Sequence, residues 1–177
     1  MKIYPEKSKL DCIFGRRSIR LYTDRGVDEQ CIQTLLQAGM AAPSARACDP
    51  WRFLVLTQRN LIDSLSELLP YGKMLKVAPL AFVVCGDITK ANSQSLSYLL
   101  QDCAAATENI LIAAHTLGLG GVWLGVHPNE DRISGIRKLF KLPEEIIPVN
   151  AISIGYPAEV KEPRTRYKAE YVHCNGW

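Results

Sequence analysis

Two clusters of basic residues are the part of the sequence whose chemistry is easiest to interpret. The segment "GRRSIR" supplies four polar residues where a short helical stretch gives way to an extended one: Arg16, Arg17, Ser18 and Arg20. The segment "PRTR" supplies Arg164 and Arg166, which point the same way in an extended chain. Guanidinium groups next to a hydroxyl suit a phosphate monoester. The residue types therefore predict a ligand that bears a phosphate, and a solvated basic surface is the simpler alternative.

Several common catalytic motifs are absent from the sequence. The glycine-rich segment "GLGGVWLG" puts Trp123 where a dinucleotide-binding G-x-G-x-x-G motif needs its third glycine, and it follows a predicted helix instead of a strand. There is no Walker loop, nucleophile elbow or His-Glu-x-x-His sequence. The histidines are dispersed and the cysteines form no Cys-x-x-Cys pair. We expect no metal site, and a serine–histidine hydrolase is disfavoured.

The loop between a predicted helix and a predicted strand has an unusual composition. The stretch "AAPSARACDPWRF", residues 41–53, combines two prolines with serine, arginine, cysteine and tryptophan. Binding residues are found on loops more often than on the elements that support them. We therefore expect this loop to contribute to a site. Cys48 alone does not indicate a redox thiol, and Trp51 and Trp123 are expected to pack against other side chains.

The segments that must position these residues alternate between helical and extended patterns. The predicted helices are a short one ending near Gly15, residues 28–42 with Asp28 as N-cap, residues 58–69, about seven turns from residue 92 to Gly118, and residues 128–143 capped near Asn129. The predicted strands are residues 51–57, the continuously apolar residues 78–86, an extended stretch after Gly118, and residues 146–157. A polar tail covers residues 158–177.

The long helix is apolar on more than one face. Its apolar or small residues include Leu96, Leu99, Leu100, Cys103, Ala104, Thr107, Ile110, Leu111 and Ala114. A helix of this kind must be enclosed by other protein. Two interpretations remain open, a central core helix and a homodimer interface.

Composition narrows the class of protein. The chain has 177 residues, 47% hydrophobic residues and a net charge of +3, which is ordinary for a globular domain and gives no reason to expect a nucleic-acid or membrane partner. The first residues lack the apolar core of a signal peptide, and no apolar run is long enough to cross a bilayer. We expect a cytoplasmic protein with reduced thiols.

In combination, the motifs resemble the nitroreductase family of flavoproteins. The stretch "FGRRSIRLYTDRGVDEQCIQTLLQAGMAAPSARACDPWRFLVL" resembles the opening of that family. "ENILIAAHTLGLGGVWLG" is similar to its long helix and the glycine-rich segment that follows. "SIGYPAEVKEPRTR" is similar to its final strand and basic tail. The resemblance runs in order from about residue 12 to residue 177.

The resemblance implies a fold, a cofactor and a reaction. The expected fold is α+β, with a central mixed β-sheet flanked by helices, one FMN-binding domain over residues 1–177 and an intertwined homodimer. One FMN would be bound without a covalent link in each of two interface sites. Electrons from NADH or NADPH would pass through flavin N5 to a nitroaromatic, a quinone or a similar small acceptor by ping-pong turnover. No side chain is expected to be the catalytic group.

The resemblance also assigns roles to matching residues. The FMN phosphate and ribityl chain would be held by Arg16, Arg17, Ser18, Arg164 and Arg166. The pyrimidine edge of the flavin would face Arg20 and Lys73, whose charge stabilises the reduced anion. Backbone N–H groups of Leu124 and Gly125 would face N5 and O4. The partner subunit would cover the ring with Pro43, Ser44 and Ala45.

Two departures from the family pattern leave alternatives open. Ala47 and Asp49 stand where the family has Asn and Gln, and a carboxylate near the flavin would disfavour its reduced anion. One alternative is a protein that stores or senses FMN with little turnover. Another is a flavin-dependent dehydrogenase or oxidase acting on a modified peptide or a small metabolite. Neither the physiological acceptor nor the choice between NADH and NADPH follows from the sequence.

Overall fold

Four strands form one sheet at the centre of the computed structural model, which describes residues 9–177. The strands are β1 (Trp51–Leu56), β2 (Leu80–Asp87), β3 (Gly120–Gly125) and β4 (Ile146–Gly155), arranged in the order β1-β2-β4-β3. All neighbouring strands are antiparallel, and the parallel component of the expected mixed sheet is limited to an isolated bridge between Ser18 and Gly121. The expectation that no signal peptide is present rests partly on residues 1–8, which lie outside the described range.

Within residues 9–177, five α-helices accompany the sheet. They are α1 (Asp11–Phe14), α2 (Glu29–Met40), α3 (Arg59–Leu68), α4 (Leu96–Thr116) and α5 (Glu130–Phe140). Two predicted N-caps are confirmed: Asp28 accepts a hydrogen bond from the backbone N–H of Cys31 at 2.8 Å, and Asn129 accepts one from Arg132 at 3.2 Å.

The sheet lies between two layers of helices. Every residue of β2 is buried, as its continuous apolar run predicted. Successive β2 side chains point to opposite faces: Ala81 and Val83 pack in one core with α3 and α5, whereas Phe82 and Val84 pack in the other with α2 and α4. The prediction of an α+β fold with a flanked central sheet is confirmed.

Helix α4 packs between α2 and the sheet, so one of its faces belongs to the core of a single chain. The predicted start at residue 92 is wrong, since Ser93 and Gln94 adopt positive φ angles of 54° and 51° and break the helical path. Its predicted end is confirmed at Gly118, whose φ is +74°.

Among residues 9–177, no helix combines the length and apolar content needed to cross a membrane.

Candidate functional site

The first half of the site is an extended segment, residues 16–22, which we call the N-terminal arm. It lies beside edge strand β3, where the backbone N–H of Ile19 donates to the carbonyl of Gly121 at 3.1 Å. A Cβ atom at Gly120 would lie only 2.6 Å from the Cβ of Ile19. The glycine-rich segment thus allows close packing of the arm, which explains its composition without a phosphate-binding loop.

A second extended segment, residues 157–166, runs along the first, and we call it the C-terminal arm. The carboxylate of Glu159 accepts hydrogen bonds from the backbone N–H of Arg20 at 2.6 Å and from the next N–H at 3.2 Å. Lys161 donates to the carbonyl of Ser18 at 2.7 Å and forms an ion pair with Glu159 at 2.9 Å. The bond from Arg20 is the main reason that the pKa of Glu159 lies below its ordinary value.

The two arms enclose a cavity of about 550 Å³, which we call the basic cavity. Its lining consists of Arg16, Arg17, Ser18, Arg20, Lys161, Arg164 and Arg166. Arg16 Nε is paired with Glu108 of α4 at 3.1 Å, and Lys161 is paired with Glu159. The other basic side chains of this cavity form no ion pair within residues 9–177. The uncompensated positive charge makes the cavity suitable for a phosphate.

A second cavity of about 660 Å³ adjoins the first, and we call it the apolar cavity. Its walls are Leu69, Pro70, Tyr71, Met74, Trp123 and Leu124, with Arg20, Lys73, Gly125 and Arg132 supplying polar groups. Arg20 lines both cavities, which therefore meet at this side chain. Trp51 is buried, as expected of a packing residue. Trp123 was also expected to be a packing residue, but 38% of its surface is exposed and it lines the cavity.

Strand β3 ends at Gly125, which opens on the apolar cavity. A Cβ atom at this position would meet no described atom within 4 Å. The carbonyl of Gly125 accepts a hydrogen bond from Nη1 of Arg132 at 2.8 Å. Since the packing of the chain does not require a glycine here, the space beside the strand is available to a ligand.

The loop before β1 has an unusual backbone. Arg46, Ala47 and Asp49 have φ angles of 56°, 52° and 50°, which few residues other than glycine adopt. The Ser44 hydroxyl donates to the carboxylate of Asp49 at 2.5 Å and accepts from its N–H at 3.0 Å. These bonds stabilise a conformation that is costly on its own.

The same loop is attached to α4 through a buried carboxylate. Asp102 is only 5% exposed, and its Oδ1 accepts a hydrogen bond from the backbone N–H of Ala45 at 2.9 Å. Its Oδ2 has no hydrogen-bond partner in the described part of the chain. The loop is therefore fixed to the face of α4.

Comparison with known proteins identifies the family. The model of the Nitroreductase family matches residues 13–71 and 63–156. The chain belongs to the nitroreductase family.

Relatives of similar length support this membership. A protein of Methanothermobacter thermautotrophicus, provisionally named NADH dehydrogenase/NAD(P)H nitroreductase, is 45% identical over 95% of this chain and 87% of its own length. A crystal structure under the same provisional name from Parabacteroides distasonis is 44% identical, covers 95% of this chain and 98% of the other, and has a TM-score of 0.90. A nitroreductase from Desulfovibrio desulfuricans in complex with FMN is 31% identical, covers 98% and 99%, and has a TM-score of 0.83.

Most of the residues predicted from the nitroreductase resemblance lie together. The basic cavity contains Arg16, Arg17, Ser18, Arg20, Arg164 and Arg166, and the apolar cavity contains Arg20, Lys73, Leu124 and Gly125. Residues separated by more than half of the nitroreductase chain are thus brought to one groove by the pairing of the two arms.

Three predicted residues lie elsewhere. Pro43, Ser44 and Ala45 line neither cavity of their own chain. Asp49, from the same loop, lies instead in a groove with Trp51 and other residues of α2 and β1. A role for this loop over the nitroreductase site therefore requires a second subunit.

Sequence reasoning missed seven residues of the groove, among them Lys161, Tyr71 and Arg132. Lys161 belongs to a basic run that was visible in the sequence, but its bond to the Ser18 carbonyl depends on the pairing of the arms. Tyr71 and Arg132 carry no motif, and only the fold brings them to the apolar cavity.

Proposed function

We propose that this protein is an FMN-dependent NAD(P)H oxidoreductase that reduces a nitroaromatic, a quinone or a similar small acceptor. The observation that carries the proposal is the pair of cavities that meet at Arg20, one basic and one with apolar walls. Such a groove fits a ligand with a phosphate at one end and a flat apolar ring at the other. FMN is such a ligand, and the related structure from Desulfovibrio desulfuricans holds it.

The residues of the groove fit the parts of FMN. Arg17, Ser18, Arg164 and Arg166 supply donors for the phosphate and the ribityl chain, together with the Nη groups of Arg16 and with Lys161. Arg20 and Lys73 place positive charge in the apolar cavity, where it would stabilise the anion of a reduced flavin. Leu124 and Gly125 offer the backbone of an edge strand, and the absence of a Cβ at Gly125 leaves room for the ring.

The chemistry of turnover follows from the cofactor. When bound, FMN supplies two-electron transfer between a nicotinamide donor and a small acceptor. For a nitro acceptor, NAD(P)H gives up a hydride, which carries two electrons and one proton, and solvent supplies one further proton. The nitro group gains these two electrons and two protons, releases water and becomes a nitroso group. The chain would hold the flavin and provide cations for the charge that develops.

The proposal includes a homodimer in which Pro43, Ser44 and Ala45 cover the flavin of the partner subunit. Its support is the position of this loop on α4, away from the cavities of its own chain. We also propose that residues 1–177 form a single FMN-binding domain. A cytoplasmic location is favoured by six cysteines that are all free thiols.

Steady-state assays test this function. Protein stripped of flavin should not oxidise NADH or NADPH with menadione or nitrobenzene as acceptor, and addition of FMN should restore the rate. A protein that binds FMN but turns over no more than free FMN does would instead be a flavin store or sensor.

A further inference from the structure

The apolar cavity contains one cation beyond those that the flavin would use. Arg20 and Lys73 are proposed to face the flavin ring, whereas Arg132 has no counterpart among the predicted cofactor contacts. Its side chain reaches the cavity from the first turn of α5. This residue therefore needs an explanation of its own.

The guanidinium of Arg132 is only partly satisfied. It has five N–H donors, and its Nη1 donates to the carbonyl of Gly125 at 2.8 Å. Within residues 9–177 no carboxylate forms an ion pair with it. The side chain is half-buried and is held by its bond to Gly125. Its other N–H donors remain available at the cavity.

Helix stability does not account for a cation at this place. The amino end of a helix favours negative side chains, and α5 has Glu130 and Asp131 there. Its other basic residues, Arg137 and Lys138, occupy the last turn, where they suit the helix dipole. Arg132 is the exception, since it lies in the first turn and points to the cavity.

We propose that Arg132 binds the anionic group of an aromatic acceptor and makes the enzyme prefer acceptors that carry a carboxylate or sulfonate. The proposal rests on the proposed function. Because Arg132 is bonded to Gly125, an anion on its free donors lies beside the end of β3. The six apolar wall residues would hold the aromatic body of the same molecule.

The nicotinamide donor is a weaker candidate for this contact. The nearest anionic group of NADH or NADPH is the pyrophosphate, which a ribose separates from the reacting ring. An anion held at the end of β3 therefore suits a compact aromatic molecule, in which the charged group and the reducible group lie on one ring.

The test uses the FMN-loaded protein and compares 4-nitrobenzoate with nitrobenzene, two acceptors that share the nitroaromatic ring and differ by the carboxylate. In R132A and R132Q, the ratio of kcat/KM for 4-nitrobenzoate to that for nitrobenzene should fall about ten-fold or more, through KM, as one hydrogen bond to a charged group predicts. Gln can still donate to the Gly125 carbonyl without charge, so R132Q separates recognition from positioning. K138A removes an exposed cation of the same helix, and its ratio should match that of the wild type.

Binding supplies a readout that does not depend on turnover. Benzoate titrated into the oxidised wild-type holoprotein should perturb the flavin spectrum, and its affinity should fall as salt is added. R132K keeps the positive charge and should therefore retain part of the affinity for benzoate. An equal loss for both acceptors, an unchanged ratio, or a rise in KM for NAD(P)H alone would overturn the proposal. A wild-type protein that is not reduced by NAD(P)H would instead refute the proposed function, before any variant is compared.

Discussion

At the scale of single residues, the basic cavity holds more positive charge than the chain neutralises. Glu108 and Glu159 pair with Arg16 and Lys161, so these two cations are partly committed to the protein itself. Arg166 lies in the C-terminal arm, is exposed and lines the cavity. Most of the binding free energy of a phosphate in the cavity would therefore come from the cations that have no acidic partner.

Replacement of Arg166 by Ala should weaken FMN binding by about 1.5–3 kcal/mol, the range for a hydrogen bond between charged groups. Riboflavin lacks the phosphate, so its affinity should change little. Fluorescence titration of the stripped protein with both flavins measures the difference. K168A removes a nearby cation of the tail that does not line the cavity, and it should leave both affinities unchanged.

The residues of this cavity could be found from the sequence because they occur in two short motifs. The residues that contact them could not be found from the sequence. The pairing of Arg16 with Glu108 links residues far apart in the chain, and the position of Arg132 depends on the packing of α5. The expected effect of Asp49 on the flavin stays a prediction, and within its own chain this carboxylate accepts a hydrogen bond from Ser44.

At the scale of elements, the site depends on the pairing of two arms that belong to no regular sheet. Tyr22 forms a bridge with Pro157, and its hydroxyl is hydrogen-bonded to the Ser153 hydroxyl of β4 at 2.7 Å. Burial of this hydroxyl raises the pKa of Tyr22. Glu159 and Lys161 then hold the arms together next to the basic cavity.

The contribution of Glu159 to stability should depend on pH. Its pKa in the folded protein lies below the ordinary value of 4.5, so its stabilisation is present above that value and is lost as the pH falls through the folded value. E159Q should lower the free energy of unfolding by about 1 kcal/mol at neutral pH, and the difference from the wild type should shrink in acid.

Urea unfolding in steps from about pH 7 to about pH 3 measures this difference. E144Q changes an exposed carboxylate and serves as the matched control. A difference between E159Q and the wild type that stays constant over the whole range would show that the charge of Glu159 is not what holds the arms.

Most elements were predictable because their patterns are local. The caps Asp28 and Asn129, the buried strand β2 and the end of α4 at Gly118 follow from side-chain type and spacing. The start of α4 did not follow, since the positive φ angles of Ser93 and Gln94 have no glycine to indicate them. Nor did the pairing of the arms, which joins residues from opposite ends of the chain.

At the scale of the whole molecule, the groove of one chain lacks the loop that the family resemblance places over the flavin. That loop is fixed on α4 by Asp102, and Pro43 is exposed. The apolar residues Leu96 and Met40 are also exposed on α4 and α2. A second copy of the chain would explain both features, because a symmetric dimer can exchange loops between its sites.

Complementation between subunits tests this arrangement. P43W alters the proposed cover with a bulky side chain at an exposed position, and R166A weakens the phosphate site. Each homodimer should bind FMN poorly, whereas a mixed dimer should regain about half of the wild-type FMN content, since one of its two sites combines an intact loop with an intact cavity. Light scattering should give about twice the chain mass of 19.7 kDa. The exchange of loops between subunits would be contradicted if mixed dimers recovered no FMN content. It would also be contradicted by a monomer that keeps FMN.

The central claim is that the groove holds an FMN that a nicotinamide donor reduces. Anaerobic titration of the FMN-loaded protein with NADH and with NADPH, followed at the visible flavin band, tests it most directly. We expect rapid bleaching that is complete at one equivalent of at least one donor per flavin, and return of the band on addition of menadione. A protein that binds FMN and shows no bleaching with either donor would contradict the account.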